Sequence, residues 1–266
     1  MIGAFVTSRR GWRWTQYTML FFCALSLILI LPFGRETFHR TIQRRLAKSQ
    51  TNPVNSPSDP PAATLTRTAR LHQFLTITLI RPLHMLFTEP IVGLLCLYVS
   101  CEFATLFTFF AAVPYIFQHV YSFTVEQSGL VFLSVVVGCL LGTLTIILCD
   151  VFLYRKQIPR HPEHMIPPEY RLYPAMIGSV GMPVGLFWMA WTAREDVHWA
   201  SPVVAMVPFA WGNLCVFISA LQFTVDTYRG TVVASAASAN SLTRYGLAGA
   251  FPLFAIQSEF LFRLLT

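Results

Sequence analysis

The stretch that decides the fold class is Thr231–Ile256, TVVASAASANSLTRYGLAGAFPLFAI, which is long enough to cross a membrane as a helix. Its first half is mostly Ala and Ser, and small residues let two helices in lipid approach closely. Asn240 and Arg244 lie inside it. An arginine at mid-membrane costs about 2.5–3.5 kcal/mol on insertion scales, so Arg244 should face protein or water rather than lipid. The stretch therefore predicts a helix of a transport bundle.

The composition of the whole chain is that of a membrane protein. The 266 residues are 55% hydrophobic and 12% charged, with a mean hydropathy of +0.56, whereas about 25% of residues in soluble domains are charged. The net charge of +7 would suggest nucleic acid as a partner of a soluble protein. Here the basic residues cluster between apolar runs, as in loops that face an anionic lipid surface. We expect the lipid bilayer as a partner and no nucleic acid.

Six apolar runs approach the length of about 20 residues that a helix needs to cross the hydrocarbon core. The predicted spans are Thr15–Phe33, Pro90–Ala112, Ser128–Phe152, Tyr173–Thr192, Ala200–Phe223 and Thr231–Ile256. The predicted fold class is therefore all-α, a multi-pass transmembrane helical bundle.

Basic residues are divided unequally between the two sides of this bundle. Most of the 19 Lys and Arg residues fall in the loops after the first, third and fifth spans, which the positive-inside rule places in the cytoplasm. The longest loop, 34–89, contains a Pro- and Ser-rich stretch at 51–63 that we expect to be a disordered linker, followed by an interfacial amphipathic helix at Leu65–Leu86. The predicted organisation is the tail of a preceding span plus the first span at 1–33, the central loop, and five spans at 90–266.

A set of short motifs occurs in order along the chain. They are Gly11-Trp12-Arg13-Trp14, Glu36-Thr37-Phe38, Arg81-Pro82, Glu89-Pro90, Pro168-Glu169-Tyr170-Arg171-Leu172, Gly185-Leu186-Phe187-Trp188, His198-Trp199, Asp226-Thr227-Tyr228, Ala239-Asn240, Arg244 and Phe251-Pro252-Leu253-Phe254. As an ordered set, they resemble the fungal drug:proton antiporter branch of the major facilitator superfamily, which includes multidrug and polyamine carriers.

The resemblance implies a partial major facilitator fold. The six spans would be the sixth to eleventh helices of a twelve-helix carrier, so we expect a fragment or truncated gene model whose missing helices are its partners in the complete carrier. The implied function is secondary transport of a small organic or drug-like compound, coupled to protons, by alternating access in the plasma membrane. The resemblance implies no cofactor. The chain has Ala111 where the family has an acidic residue, so the substrate class is not carried over.

Glu102 is the only carboxylate in the middle of a predicted span. By helical rise, Glu102 and Arg244 both lie roughly 18–20 Å from the cytoplasmic end of their spans, so an ion pair or a shared water-filled cavity is open to them. Glu102 could bind a proton or attract a cationic substrate, or it could be a structural polar contact. Arg244 matches the family's arginine in this helix and would neutralise a carboxylate or stabilise one conformation. Asn240 is a further candidate for the transport site.

Four residues at predicted cytoplasmic helix ends are candidates for gating contacts: Asp150, Asp226, Tyr228 and Arg229. Ion pairs at such ends can break during alternating access. The sequence favours the simpler interpretation, solvated interfacial pairs worth at most ~1 kcal/mol.

Five glycines within the spans are predicted to allow close helix packing: Gly138, Gly142, Gly178, Gly185 and Gly249. Pro183 frees a backbone carbonyl in the fourth span and is a candidate hinge.

Two other function classes are open from the sequence. A membrane-embedded enzyme is disfavoured because all seven histidines lie outside the spans, and the spans contain no paired acids and no Ser with a neighbouring base. No catalytic residue and no metal site is predicted. A degenerate carrier that no longer moves substrate is the second alternative, because the resemblance implies that half of the binding cavity is missing.

Overall fold

The computed structural model of this chain describes residues 2–33, 42, 80–160, 166–228 and 231–265. Nearly all of these residues are helical, and no β-strand occurs among them, so the predicted all-α fold is confirmed. The predicted linker at 51–63 lies outside the described residues.

Contacts divide the chain into two compact units, Val6–Leu75 and a second unit made of Met1–Phe5 and Thr76–Thr266. In the first unit, Gly11 has a φ of +81°, which glycine adopts without steric cost, and separates α1 (Ile2–Arg10) from α2 (Trp12–Phe33). The guanidinium of Arg13 lies over the ring of Trp12 at 5.7 Å. Basic and aromatic side chains at the start of α2 are typical of a membrane interface.

The second unit contains the remaining helices of the described chain. They are α3 (Arg81–Thr88), α4 (Pro90–His119), α5 (Val125–Val131), α6 (Leu133–Cys149), α7 (Tyr173–Gly178), α8 (Gly181–Thr192), α9 (Ala200–Thr227) and α10 (Thr231–Leu265). A π-helical turn, Asp150–Tyr154, and two 3-10 helices, Arg155–Arg160 and Pro168–Leu172, lie between α6 and α7.

Five helical segments in the described ranges are long and apolar enough to cross a membrane. They are Trp12–Leu31, Pro90–His119, Val125–Pro159, Pro168–Thr192 and Ala200–Thr227, and they correspond in order to the first five predicted spans. The sixth predicted span forms the continuous helix α10, but it is not one of the five. Polar residues such as Asn240 and Arg244 lower the hydropathy of α10 relative to the other spans.

Helix α9 lies at the centre of one packing group, against α6, α7 and α8, whereas α10 packs mainly against α4. Between α4 and α9, the rings of Phe109 and Phe209 stack with their centroids 4.2 Å apart, and Met189 of α8 is buried in the same cluster. In lipid, this contact stabilises the bundle through close packing of the rings rather than through removal of apolar surface from water.

The second unit begins within the loop predicted at 34–89. Met85 of α3 is buried in a cluster with Val92 and Cys96 of α4 and Ala239 of α10, so α3 is part of the helical bundle. Helix α3 falls within the loop predicted at 34–89, and the start of the five-span part at residue 90 stays a prediction.

The fourth predicted span is interrupted at Ser179 and Val180, between α7 and α8. Pro183 has no N–H to donate to the carbonyl of Ser179, and its ring crowds that carbonyl, so the regular helix breaks one turn before the proline. A hinge at Pro183 stays a prediction.

Candidate functional site

Glu102 lies on α4 about three turns after Pro90, and its side chain is 5% exposed. Neither of its carboxylate oxygens has a hydrogen-bond partner among the described residues. A buried carboxylate that lacks partners is costly while charged, and such groups in membranes mark proton or ion pathways more often than structural contacts. Glu102 therefore has the setting of a group that binds a proton or a cation.

The guanidinium of Arg244 is enclosed by three aromatic rings. Its central carbon lies 4.6 Å from the ring centroid of Phe103, 4.9 Å from that of Phe217 and 4.7 Å from that of Tyr245. The aromatic cage (Phe103, Phe217 and Tyr245) brings together α4, α9 and α10. Cation–π attraction of this kind is worth about 0.5–2 kcal/mol and offsets part of the cost of placing a charge at this depth.

Arg244 is only partly satisfied by hydrogen bonds. Its Nη2 donates to the hydroxyl of Tyr245 at 3.2 Å, whereas its buried Nε has no partner among the described residues. The guanidinium is therefore held mainly by ring faces rather than by a carboxylate or a carbonyl.

The structure brings Glu102 and Arg244 to the same level without joining them. Arg244 covers the ring of Phe103, the residue next to Glu102, and its charge acts electrostatically on the carboxylate. The ion pairs among the described residues are all elsewhere, and none joins Glu102 to Arg244. The sequence allowed either a direct ion pair or a shared water-filled cavity for these two residues, and the ion pair is absent from this conformation.

Two further polar groups are buried without partners near this level of the bundle. Asn240 is 5% exposed and lies one turn before Arg244 on the same face of α10, with its Oδ1 unpaired among the described residues. The hydroxyl of Ser100 on α4 is completely buried and is also unpaired among them. Each unsatisfied buried group costs about 1–3 kcal/mol, which a bound ligand, proton or water would reduce.

An open groove of about 550 Å³ runs along α10 and reaches the aromatic cage. Its lining residues are Pro82, Ala237, Ser238, Ser241, Leu242, Tyr245 and Gly246. Tyr245 belongs to both the groove and the cage, and the groove volume lies within the range of about 300–1,000 Å³ usual for small-molecule sites.

At the other end of the bundle, Arg171 joins two of the predicted gating residues. It donates from Nη1 to Asp150 Oδ1 at 2.9 Å and from Nε to Asp226 Oδ2 at 2.8 Å. Its guanidinium also lies 3.6 Å from the ring centroid of Tyr154. Arg155 makes a separate, more exposed contact with Asp150 at 3.1 Å. One arginine therefore connects the end of α6 to the end of α9.

Arg171 was not among the predicted site residues. It appeared in the sequence only as part of a motif and as one of the basic loop residues. The sequence did contain a signal for it. Asp150 and Asp226 end two spans on the same predicted side, and two neighbouring acids are stabilised by a cation between them, so a basic loop residue could have been predicted there. Arg229, which was predicted beside Asp226, lies outside the described residues.

Tyr228 donates a hydrogen bond to Oε2 of Glu89, and this contact joins the end of α9 to the start of α4. Burial raises the pKa of Tyr228 to about 12, and the hydrogen bond and negative charge of Glu89 act in the same direction. Glu89 was also missed as a site residue, because its partner lies far away in sequence.

The predicted packing glycines fall into two groups. A Cβ added at Gly138 would lie 2.5 Å from the carbonyl oxygen of Val207, and one at Gly185 would lie 2.7 Å from the backbone nitrogen of Phe209, so both glycines are in close contact with α9. Gly142 and Gly178 also lie against α9. A Cβ added at Gly249 would meet no atom within 4 Å in the described structure, so its packing role stays a prediction.

Comparison with known proteins agrees with this architecture. A family model described as Major Facilitator Superfamily matches residues 1–252. A polyamine transporter of Saccharomyces cerevisiae, Polyamine transporter 4, is 35% identical over 97% of this chain and 42% of its own length. The MFS-type transporter traF of Penicillium crustosum is 34% identical over 96% of this chain and 50% of its own length.

A third relative, Efflux pump FUB11 of Gibberella fujikuroi, is 34% identical over 96% of this chain and 44% of its own length. The chain spans about half the length of the curated relatives it matches, between 42% and 50% for these three. No solved structure matched the chain.

Proposed function

The chain belongs to the major facilitator superfamily, a family of membrane transporters rather than enzymes, and on that premise we propose that it forms part of a proton-coupled carrier for a small organic compound. Alternating access takes place between two helical halves around a site near the middle of the membrane. In this proposal the second unit supplies helices of one half, and further helices of the same carrier complete the cavity. The carrier resides in the plasma membrane with its central loop in the cytoplasm.

The observation that carries the proposal is the state of Glu102. A carboxylate 5% exposed, without a hydrogen-bond partner in the described structure and without an ion pair to the nearby guanidinium, is subject to two opposing influences. Burial favours the neutral form, and Arg244 favours the charged form. A group held between these influences can load and release a proton as its surroundings change.

The substrate class follows from the chemistry around that carboxylate. One relative is named a polyamine transporter and another an efflux pump. The open groove is lined by Ser238, Ser241, Leu242 and Tyr245, so it offers both hydroxyl groups and apolar surface. A small cationic or amphipathic compound suits such a groove, which reaches the aromatic cage at Tyr245.

The Arg171 contacts supply a gate in this proposal. They hold the ends of α6 and α9 together in the present conformation, and movement of these ends would require at least one of the two contacts to break. The same role extends to the Tyr228–Glu89 hydrogen bond, which ties α9 to α4.

The test is proton release on substrate binding by the purified chain in nanodiscs, in weakly buffered solution. Adding spermidine should release about one proton per chain from the wild type and none from Glu102→Gln. The matched control is Glu195→Gln, which neutralises an exposed carboxylate between α8 and α9 and should behave as wild type. Equal release from wild type and Glu102→Gln, or no release from the wild type, would reject the proposal.

A further inference from the structure

The aromatic cage holds a cation that belongs to the protein itself. Three ring faces from three helices surround the guanidinium of Arg244, at centroid distances of 4.6, 4.9 and 4.7 Å. Such a set of rings is the arrangement that recognises organic ammonium groups and guanidinium groups in other proteins. An external cation of the same kind therefore fits this site only when Arg244 has left it.

Glu102 is an alternative partner for the guanidinium of Arg244. Glu102 precedes Phe103 on α4, is buried, and has two carboxylate oxygens without partners among the described residues. An arginine presents a fork of donors that matches both oxygens of a carboxylate, and its long side chain can rotate between neighbouring partners. The guanidinium thus has two alternative partners, the ring faces and the carboxylate, and it occupies only the first in this conformation.

We infer that the aromatic cage is the binding site for the cationic head of the substrate, and that Arg244 acts as a tethered competitor that leaves the cage when it pairs with Glu102. This inference rests on the proposed function and specifies the substrate class and the coupling at the same site. When Glu102 is neutral, Arg244 stays in the cage and excludes the substrate. When Glu102 loses its proton to water, the new ion pair draws Arg244 away and the cage accepts an organic cation.

The body of the substrate has room beside the cage. Tyr245 forms both a wall of the cage and part of the groove of about 550 Å³, so a cationic head between the rings would leave the rest of the molecule along α10. Ser238 and Ser241 line the groove, and because each hydroxyl donates to a backbone carbonyl of its own helix, each oxygen is available as an acceptor for a charged chain.

Few other ionisable groups lie near Glu102 to act on this exchange. Tyr98 lies one turn earlier on α4 and interacts with Glu102, and Arg244 approaches from α10. On the neighbouring helices in the described structure, the residues with ionisable side chains that are charged or titratable near neutral pH are Arg81 and His84 of α3, Glu126 of α5, Asp226 of α9, and Glu259 and Arg263 of α10; Tyr245 of α10 adds a phenol. Apart from Tyr245, these residues lie toward the ends of their helices, so Arg244 is the cation available to pair with Glu102 at its own depth.

The decisive experiment is a rescue by double substitution, with tetraethylammonium as the probe and equilibrium binding to the chain in nanodiscs as the measurement. The wild type should bind the probe about tenfold more tightly at about pH 10 than at about pH 7. In Glu102→Gln, Arg244 has no carboxylate to join, so binding should stay weak at both pH values. In the double variant E102Q/R244M the cage is permanently free, so binding should recover and lose its pH dependence.

Two controls accompany this series. Arg194→Met removes an exposed arginine between α8 and α9, and it should leave the binding of Glu102→Gln weak when the two are combined. Phe217→Leu keeps an apolar side chain but removes one ring face, and it should weaken probe binding in the E102Q/R244M background.

The outcomes separate this inference from the proposed function. If E102Q/R244M stays as weak as Glu102→Gln, the carboxylate itself binds the cation and the tethered competitor is rejected, even where spermidine still releases a proton from the wild type. Absence of probe binding in both the wild type and the double variant also rejects the inference. Loss of the Glu102-dependent proton release, with intact rescue, would reject the proposed proton coupling and leave the cage assignment standing.

Discussion

Arg171 donates from Nε to Asp226 at 2.8 Å and from Nη1 to Asp150 at 2.9 Å. The two acids are distant in the sequence and lie at the ends of different helices, α6 and α9. A single guanidinium satisfies both because its donors point in fixed, divergent directions. This contact, called the Arg171 lock below, holds the ends of α6 and α9 together at the end of the bundle opposite α5. It can be tested without knowing the substrate.

Arg171→Lys should weaken this lock although the charge is kept. An ammonium group is a compact donor that does not span both carboxylates as a planar fork does, so we expect a loss of about 1 kcal/mol in the free energy of unfolding, discounted for the partial exposure of all three side chains. Thermal unfolding of the detergent-solubilised chain measures it. The control is Arg155→Lys, which alters one exposed contact with Asp150 and should have a smaller effect. Equal effects of the two substitutions would contradict the bridging role.

Gly138→Ala should destabilise the bundle. The added methyl group would lie 2.5 Å from the carbonyl oxygen of Val207 and 2.7 Å from Cβ of Ala210, so α6 and α9 must separate, at a cost of about 1–3 kcal/mol. Gly249→Ala is the matched control, because nothing in the described structure lies within 4 Å and alanine favours the helix by up to about 1 kcal/mol. Thermal unfolding midpoints should move in opposite directions, and a shared direction would show that these glycines do not differ in packing.

Tyr228→Phe should remove the hydrogen bond to Glu89 and leave a partly buried carboxylate without this donor. We expect a loss of about 1–2 kcal/mol in the free energy of unfolding at neutral pH. Thermal unfolding at neutral pH is the measurement. A midpoint unchanged from wild type would mean that the hydrogen bond contributes nothing to the folded state.

The pH dependence of the same contact follows from the direction in which the pKa of Tyr228 is shifted. Burial and Glu89 raise the pKa of Tyr228 to about 12 in the folded chain, above the value of about 10 for an unfolded tyrosine. The neutral phenol is therefore the form that stabilises the fold. Its contribution is complete below about pH 10 and is lost as the pH rises towards about 12. A spectrophotometric titration of the phenolate should contain a late step that Tyr228→Phe lacks.

Pro183→Ala should close the break between α7 and α8. Alanine at this position supplies an N–H that can donate to the carbonyl of Ser179, so the helix becomes continuous. Backbone hydrogen exchange around Val180 should slow, and transport by a complete carrier that contains this chain should fall if the break works as a hinge. Slower exchange with unchanged transport would leave the break as a structural feature only.

The composition and the apolar runs were enough to predict the fold class. Helices in lipid must satisfy every backbone polar group internally, so a run of about 20 apolar residues has few structural alternatives. The five apolar spans follow from that constraint, and the family follows from an ordered set of motifs. The ends of the helices were less predictable. The second span was predicted to end at Ala112, whereas α4 continues through Pro114 to His119.

The candidate site was predictable only in part. Glu102, Arg244 and Asn240 were identifiable because polar residues inside a span are expensive and therefore rare. The partners of these residues were not identifiable, since phenylalanines such as Phe103 and Phe217 are common in any membrane helix and most face lipid.

The sequence by itself determined that this is a multi-span helical protein of a transporter family, which residues are charged within the predicted spans and how far along each span they lie. Only the tertiary structure decided what those charges contact. Depth along a helix is a one-dimensional property that residue counting supplies, whereas the contact of Arg244 with ring faces instead of Glu102 depends on helix rotation and side-chain direction. Those are set by packing between helices that are distant in sequence, as the joining of Asp150 and Asp226 through Arg171 also shows.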